Sequence, residues 1–259
     1  MKTDLLAIKE LLDESYLKYN SSDFIQNDPI SIPHLFTKKE DIEIAGFLIA
    51  TIAWGNRKSI ITNGKKLMQW MDESPHEFIK HFSTKDLKPF KNFVHRTFNG
   101  KDCEFFLRSL KDIYQLHGGL ENTFGVGSTN DEFSLKARLA KFRAVFLQTI
   151  HLSRSEKHVS DVLKNSSCKR LCMYLRWMVR KDKKGVDFGI WNSISPSELC
   201  LPLDVHTGNV SRAIGLLNRK QNDWNSVEEI TKMLRTFDAK DPIKYDFSLF
   251  GLGVDGVFK

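Results

Sequence analysis

Nothing in this 259-residue chain is an uninterrupted apolar run long enough to span a membrane, so a helical membrane anchor is not expected. Cysteine is scarce: four residues, Cys103, Cys168, Cys172 and Cys200, with no Cys-x2-Cys pair. That excludes the common zinc and iron–sulfur frameworks and fits reduced thiols in a cytoplasmic protein. Cys168 and Cys172 share a helix face by spacing, yet two thiols alone make a poor zinc site. Eight histidines are scattered without a ligand motif, so neither a metal nor an organic cofactor is expected. Internal repeats and low-complexity tracts are absent, and almost no segment alternates with the period of a strand. The opening MKTDLLAIKELLDE mixes both charges, unlike a signal or transit peptide.

What is present is an apolar fraction of 41%, sufficient for a sizeable core, and a net charge of +7. The charge is segregated. Residues 136–184 hold 14 Lys and Arg against three acids, a net of +11, which leaves the rest of the chain at −4. Such segregation suits a phosphate-binding surface, although a solvated basic face without a partner would look the same.

Helical signals recur along the chain and predict an all-α architecture. Thr37-Lys-Lys-Glu40 reads as a capping box before DIEIAGFLIATIAW, with Gly55 placed to stop that helix. Asp102 is expected to cap CEFFLRSLKDIYQLH, which Gly118-Gly119 would end. Ser134 opens LKARLAKFRAVFLQTI. Ser226-Val-Glu-Glu229 reads as a second capping box for a helix running to Phe237. Asp241-Pro242 reads as a cap and first helical residue before IKYDFSLFGLG. Residues 121–133 and 154–167 are expected to be loops or short helices.

The stretch SCKRLCMYLRWMVRK (167–181) is the most unusual. With Ser166 or Ser167 as cap, Leu171, Tyr174, Leu175 and Met178 form a core-facing stripe, and Lys169, Met173, Arg176 and Arg180 fall on the opposite face. Lys169 then begins a cationic stripe, either as an ordinary solvated lysine or as an amine that neighbouring cations and desolvation would help to deprotonate.

Thirty-five residues later comes PLDVHTGNV, in which Asp204 begins a helix with Val210, Ala213, Ile214 and Leu217 on its buried stripe. An aspartate there is explained as an N-cap alone. The same placement also holds a carboxylate ionised, ready to steady a developing cation. In the last helix Asp246 stands among apolar residues with Phe250 four positions on, so an acceptor and an aromatic plane share a face; a surface Asp beside a core Phe is the alternative. AWGNRKS (53–59) breaks two helices and either forms a plain C-cap turn or presents Trp54, Asn56 and Arg57 outward.

An aspartate at a helix N-terminus, after Pro202 and in an Asp-x-His segment, resembles the catalytic-aspartate segment of the helix-hairpin-helix DNA glycosylase superfamily. The archaeal 8-oxoguanine glycosylase branch is most similar, because there the lysine opens a long helix well upstream, as Lys169 does. The Leu-Pro-Gly-Val-Gly hairpin of the common branch is missing, and Phe250 stands where the archaeal branch has a tryptophan. Through KRLCMYLRWMVR, VDFGIW, PLDVHTGNV and DPIKYDFSLFGLGV the whole chain also resembles a bacterial family catalogued as a conserved domain of unknown function.

The glycosylase resemblance implies one unit over 1–259, with a cleft between a helical subdomain of about 37–165 and another made of the N-terminal segment plus about 166–259. It implies Lys169 as nucleophile and Asp204 as its carboxylate, with a base pocket of Asp246, Phe250, Trp54 and Pro202. DNA contacts would come from Asn56, Arg57, Arg170, Arg176, Arg180, His206 and Thr207. The implied activity is removal of an oxidised purine with strand cleavage through a lysine Schiff base. The implied partner is double-stranded DNA carrying a damaged base, without membrane or obligatory protein partner, at the nucleoid in the cytoplasm. A binding protein of the same fold without chemistry is the alternative, and a hydrolytic pair of His206 and Asp204 is a weaker one.

Overall fold

The computed structural model describes residues 4–125 and 134–258. Its helices up to the middle of the chain are α1 (Leu5–Tyr19), α2 (Asp23–Gln26), α3 (Lys39–Ile52), α4 (Arg57–Trp70) and α5 (Pro75–His81). A two-residue antiparallel pair follows, β1 (Val94–His95) and β2 (Phe98–Asn99), with His95 opposite Phe98. Then come α6 (Gly100–Leu116), α7 (Leu120–Gly125), α8 (Leu135–Phe146), α9 (Lys169–Val179), α10 (Val205–Ala213), α11 (Trp224–Phe237) and α12 (Tyr245–Val254). The architecture is all-α, and no described helix is long and apolar enough to cross a membrane. Two compact units divide the chain: Met1–Phe24 with Val162–Lys259, and Ile25–Asp161.

The Ile25–Asp161 unit is organised by α3, whose residues from Ile42 to Ile52 are all buried. Phe47 on that helix meets Phe106, Phe142 and Phe146 at ring distances of 5.9, 5.5 and 5.4 Å. Phe124 stacks on Phe142 at 3.9 Å. Each such pair is worth about 0.5–1.5 kcal/mol beyond the area it buries. Ser134 caps α8 as its sequence predicts, accepting from the Ala137 amide at 3.3 Å. The α6 C-terminus closes over Gly118 and Gly119, both at positive φ, with the Gly119 amide donating to Ile113 O at 3.1 Å.

Two expected starts differ in this unit. Lys38 precedes α3 with no side-chain cap, and no Thr37–Glu40 box forms; Glu40 and Asp41 instead place charge in the first turn, where Asp41 accepts from the His76 amide at 2.8 Å. Asn99, not Asp102, caps α6. Asp102 completes the capping box from inside the first turn and is fully buried, because Ser155 Oγ donates to it at 2.6 Å and Arg154 at 2.7 Å. The expected short elements hold residues Ser153–His158 and Val162–Lys164 in 3-10 turns, while 126–133 lie outside the described residues.

In the other unit, α12 packs between α1 and α10. A Cβ on Gly251 would stand 2.3 Å from the Tyr19 ring, and one on Gly253 would stand 2.9 Å from His206 Cβ, so both approaches require glycine. Ser248 Oγ donates to Leu12 O at 2.6 Å, fixing α12 on α1. Here too, two starts move. Asp223 caps α11 by accepting from the Ser226 amide at 3.1 Å, and Ser226 Oγ turns back to Gln221 O. Asp241 makes no cap bond, since its carboxylate is drawn to Arg180 Nε at 3.0 Å, and one 3-10 turn at Pro242–Lys244 precedes α12.

Candidate functional site

Lys169 occupies the first turn of α9. The residue before it, Cys168, is the N-cap in the left-handed region at φ +49° with no side-chain cap bond, so neither Ser166 nor Ser167 serves as that cap. Ser166 Oγ instead accepts from the Cys168 amide at 3.3 Å. Its backbone bridges to Asp223, and Asn165 Nδ2 donates to Asp223 Oδ2 at 3.0 Å, which ties the start of α9 to the start of α11. From this anchored turn the Lys169 amine donates to Met173 Sδ, 3.3 Å away on the next turn. It lies 4.0 Å from Asp204 Oδ2, with the two side chains 26% and 22% exposed.

Asp204 is fixed just as closely. Leu201, Pro202 and Leu203 are buried, and the Leu201 amide donates to Thr231 Oγ1 at 3.1 Å. Asp204 caps α10: its Oδ1 accepts from the Thr207 amide at 3.0 Å, while its own amide donates to Thr207 Oγ1 at 2.8 Å. Asn222 Nδ2 holds the Asp204 carbonyl at 3.0 Å. One carboxylate oxygen therefore belongs to the helix terminus and the other faces the amine. Thr207, expected as a DNA contact, is buried and occupied by this box, a correction that follows from its place in the first turn. His206 is exposed and meets the half-buried Phe250 ring edge-on at 6.1 Å.

Asp246 is buried, as is the guanidinium that holds it: Arg176 Nη1 donates to Asp246 Oδ2, and Arg176 Nε donates to Asp187 Oδ1 at 3.2 Å. Arg180 is also buried, bonded to Asp187 at 3.1 Å, Asp182 at 2.7 Å and Tyr16 Oη at 2.7 Å. These two arginines were expected on an exposed cationic stripe, and the structure corrects both. The face opposite the leucine stripe meets α12, α1 and the 182–187 segment, so only Lys169, Arg170 and Met173 of α9 retain partial exposure. Asp246 likewise faces a cation and is not left alone among hydrocarbon.

The charges act on one another. Burial lifts the Asp246 carboxyl to about 6, reinforced by nearby Asp204 and opposed by Arg176 and Lys169. Burial also raises Asp187. Asp182 falls to about 2, because hydrogen bonds from Asn20, the Lys184 amide and Arg180 outweigh its desolvation. Half-buried Arg170 is lowered to about 10 by burial. All four cysteines are buried, with the Cys200 thiol pushed up to about 11 by desolvation. Among the described residues no group of three or more His, Cys, Asp or Glu side chains is arranged to hold a metal ion.

The 136–184 segment is therefore not one solvated basic face. It crosses both units, and much of its charge is internal: Arg138 is buried against the Gly125 carbonyl at 2.8 Å, and Arg143 pairs with Glu156 at 3.1 Å.

The remaining predicted residues lie in the Ile25–Asp161 unit. Asn56 is exposed and caps α4 by accepting from the Ser59 amide at 3.1 Å; Arg57 is exposed beside it. Trp54 is half-buried, stacked on His158 at 6.0 Å and met edge-on by His95 at 5.2 Å. Sequence reasoning missed Asp187 and Asn222, while Met173 was placed on the Lys169 face. The signal for Asp187 is an acid flanked by apolar residues in VDFGIW, eleven positions after Arg176, whereas nothing local marks Asn222.

No curated protein and no solved structure matches the chain. A family model does so over residues 28–255, most of the length. The chain thus belongs to the family described as Protein of unknown function (DUF2400).

Proposed function

We propose that the protein is a DNA repair glycosylase of the helix-hairpin-helix kind that removes an oxidised purine and cleaves the strand through a lysine Schiff base. One observation carries this reading: the Lys169 amine lies 4.0 Å from an Asp204 oxygen whose partner oxygen is anchored in the first turn of α10. An amine and a carboxylate so held suit a nucleophile and the stabiliser of an oxocarbenium-like charge.

In this reaction the Lys169 ammonium first gives up a proton, and the amine then forms a bond to the sugar C1′ as the C1′–N9 bond breaks. The base leaves with the bonding pair and takes up a proton. Opening of the sugar ring and loss of the amine proton give the imine. Loss of a C2′ proton then expels the 3′ phosphate by β-elimination. Phe250, half-buried on α12, is the ring on which the extruded base would stack. Asp246 has one oxygen on Arg176, and its second could accept the N7–H that 8-oxoguanine carries and guanine lacks. The reading implies work on duplex DNA at the nucleoid.

Borohydride trapping on lesion-bearing duplexes tests it, since a lysine imine is reduced to a stable crosslink. Wild type should crosslink and Lys169→Gln should not. Asp204→Asn should still bind DNA while excision falls about 10²–10³-fold. A crosslink undiminished in Lys169→Gln overturns the assignment. A wild-type chain that binds duplexes but never crosslinks supports the second reading, a binding protein in which the Lys169–Asp204 contact is a static ion pair.

A further inference from the structure

We infer that the β1–β2 hairpin and the N-terminal end of α4 form a nucleic-acid docking surface in the Ile25–Asp161 unit, with Arg57, Lys58 and Arg96 gripping successive phosphates of a duplex. This inference stands apart from any chemistry at Lys169.

The charge pattern comes first. Residues 53–71 and 87–101 contain eight cations, Arg57, Lys58, Lys65, Lys66, Lys88, Lys91, Arg96 and Lys101, and not one acid. All eight are exposed. These segments lie outside the basic 136–184 stretch, in the part of the chain that is acidic in sum.

The fold joins the two segments. His95 Nε2 donates to Trp54 O at 3.1 Å, and Asn63 Nδ2 on α4 bonds to His95 Nδ1 at 2.9 Å. Gly55, at φ +98°, leaves room for the Arg96 side chain: a Cβ at Gly55 would stand 2.8 Å from Arg96 Nη1. Arg96 itself is left-handed at φ +55°, at the hairpin tip. On the far side Arg154 Nη2 donates to Thr97 O at 2.9 Å, and the same guanidinium is tied to buried Asp102. The tip is clamped from both sides, so Arg96 is presented beside Asn56 and Arg57 with little further ordering needed on binding.

The chemistry favours a phosphodiester backbone. Exposed neutral donors, Asn56, Ser59 and Thr97, are interleaved with the cations, as in phosphate contacts generally. Lys58 and Lys65 share a face of α4 about 10 Å apart, a spacing for a polymer and not for one phosphate. Val94 is the large apolar side chain exposed on the hairpin, whereas a protein partner would need a cluster of apolar anchors.

Fluorescence anisotropy of the full chain on an undamaged fluorescent duplex between 50 and 200 mM salt tests this. Arg96→Gln and Lys58→Gln should each weaken binding and lower the slope of log K against log salt by about 0.9, and the triple variant with Arg57→Gln by about 2.7. Lys80→Gln, an exposed lysine on α5, should change neither. A triple variant that keeps native circular dichroism together with wild-type affinity and slope overturns the inference, as does a wild-type chain that binds polyglutamate but no duplex. Lys58 takes no part in the hydrogen bonds that clamp the hairpin, so its variant tests binding even if Arg96→Gln disturbs the turn. Measured in the Lys169→Gln background as well, the slopes are independent of crosslinking, so failure here and failure of the glycosylase reading are separable.

Discussion

Each unit buries some charge, Asp102 and Arg138 in the Ile25–Asp161 unit among them, but the two are organised around different things. The Ile25–Asp161 unit closes over phenylalanine rings centred on Phe47, Phe106, Phe142 and Phe146. The other unit closes over ions: Arg176, Arg180, Asp187 and Asp246 are all at most 4% exposed. Ring packing is insensitive to pH and loses stability in proportion to the cavity a truncation leaves. A buried ion network is stable only while every partner is present, since an orphaned charge cannot return to water. The ionic unit is also the one with the candidate amine and carboxylate, and its network reaches them through Asp246. Structural charge and candidate chemistry therefore share one set of side chains there, whereas in the aromatic unit the exposed cations are separate from what holds the core together.

The sharpest test of this contrast is a pair of core substitutions. Arg180→Met should destabilise by about 3–5 kcal/mol by leaving Asp187, Asp182 and Asp241 short of a partner, and adding Asp187→Leu should recover part of the loss. Phe106→Ala should cost a similar ~3–5 kcal/mol with no charge substitution able to restore it. Urea denaturation measures both, and full recovery or none in the Arg180 double variant would blur the distinction.

Acidity gives the next largest effect. With Asp246 raised to about 6 against an ordinary 3.8, the native state holds that proton more tightly than the unfolded chain. Its contribution is full below pH 4 and is lost as pH rises through 6, a window of roughly 3 kcal/mol. Asp182, lowered to about 2, acts in the opposite sense: its contribution is present above pH 4 and is lost toward pH 2. Asp246→Asn should flatten the stability profile between pH 4 and 6 and leave the acid limb below 4 unchanged, as followed by thermal denaturation across pH. A profile of unchanged slope between 4 and 6 would detach Asp246 from this role.

The smallest effect expected is at the α10 cap. Thr207→Val keeps the shape but removes the hydroxyl that bonds the Asp204 amide and carboxylate, at a cost of about 0.5–1.5 kcal/mol. If Asp204 acts with Lys169, excision should fall by more than this loss of stability explains, whereas in a purely structural cap melting temperature alone should move.

Local signals were most legible where one residue and its near neighbours decide the outcome. The Ser134 cap, the Gly118-Gly119 stop and the Asp204 N-cap all follow from backbone amides within three or four positions. Legibility failed where a distant partner outbid the local one. Asp241 left its cap for Arg180, Asp102 was drawn inward by Arg154 and Ser155, and Ser226 gave way to Asp223, which Arg219 and Asn165 also hold. The α9 helix fails for a related reason. Periodicity identifies the apolar stripe of SCKRLCMYLRWMVRK but is silent on whether its cationic face meets water or carboxylates.

By itself, then, the sequence determined that this is a helical protein with Lys169 at the start of one helix and Asp204 at the start of another, because caps, periodicity and turn residues act over a few positions. Only the tertiary structure decided that the two side chains stand 4.0 Å apart, that Arg176 and Arg180 are internal, and that Arg96 lies under Gly55. Each of those outcomes depends on a partner tens of residues away, and the free energy of burying a charge is set by which partner the fold brings to it.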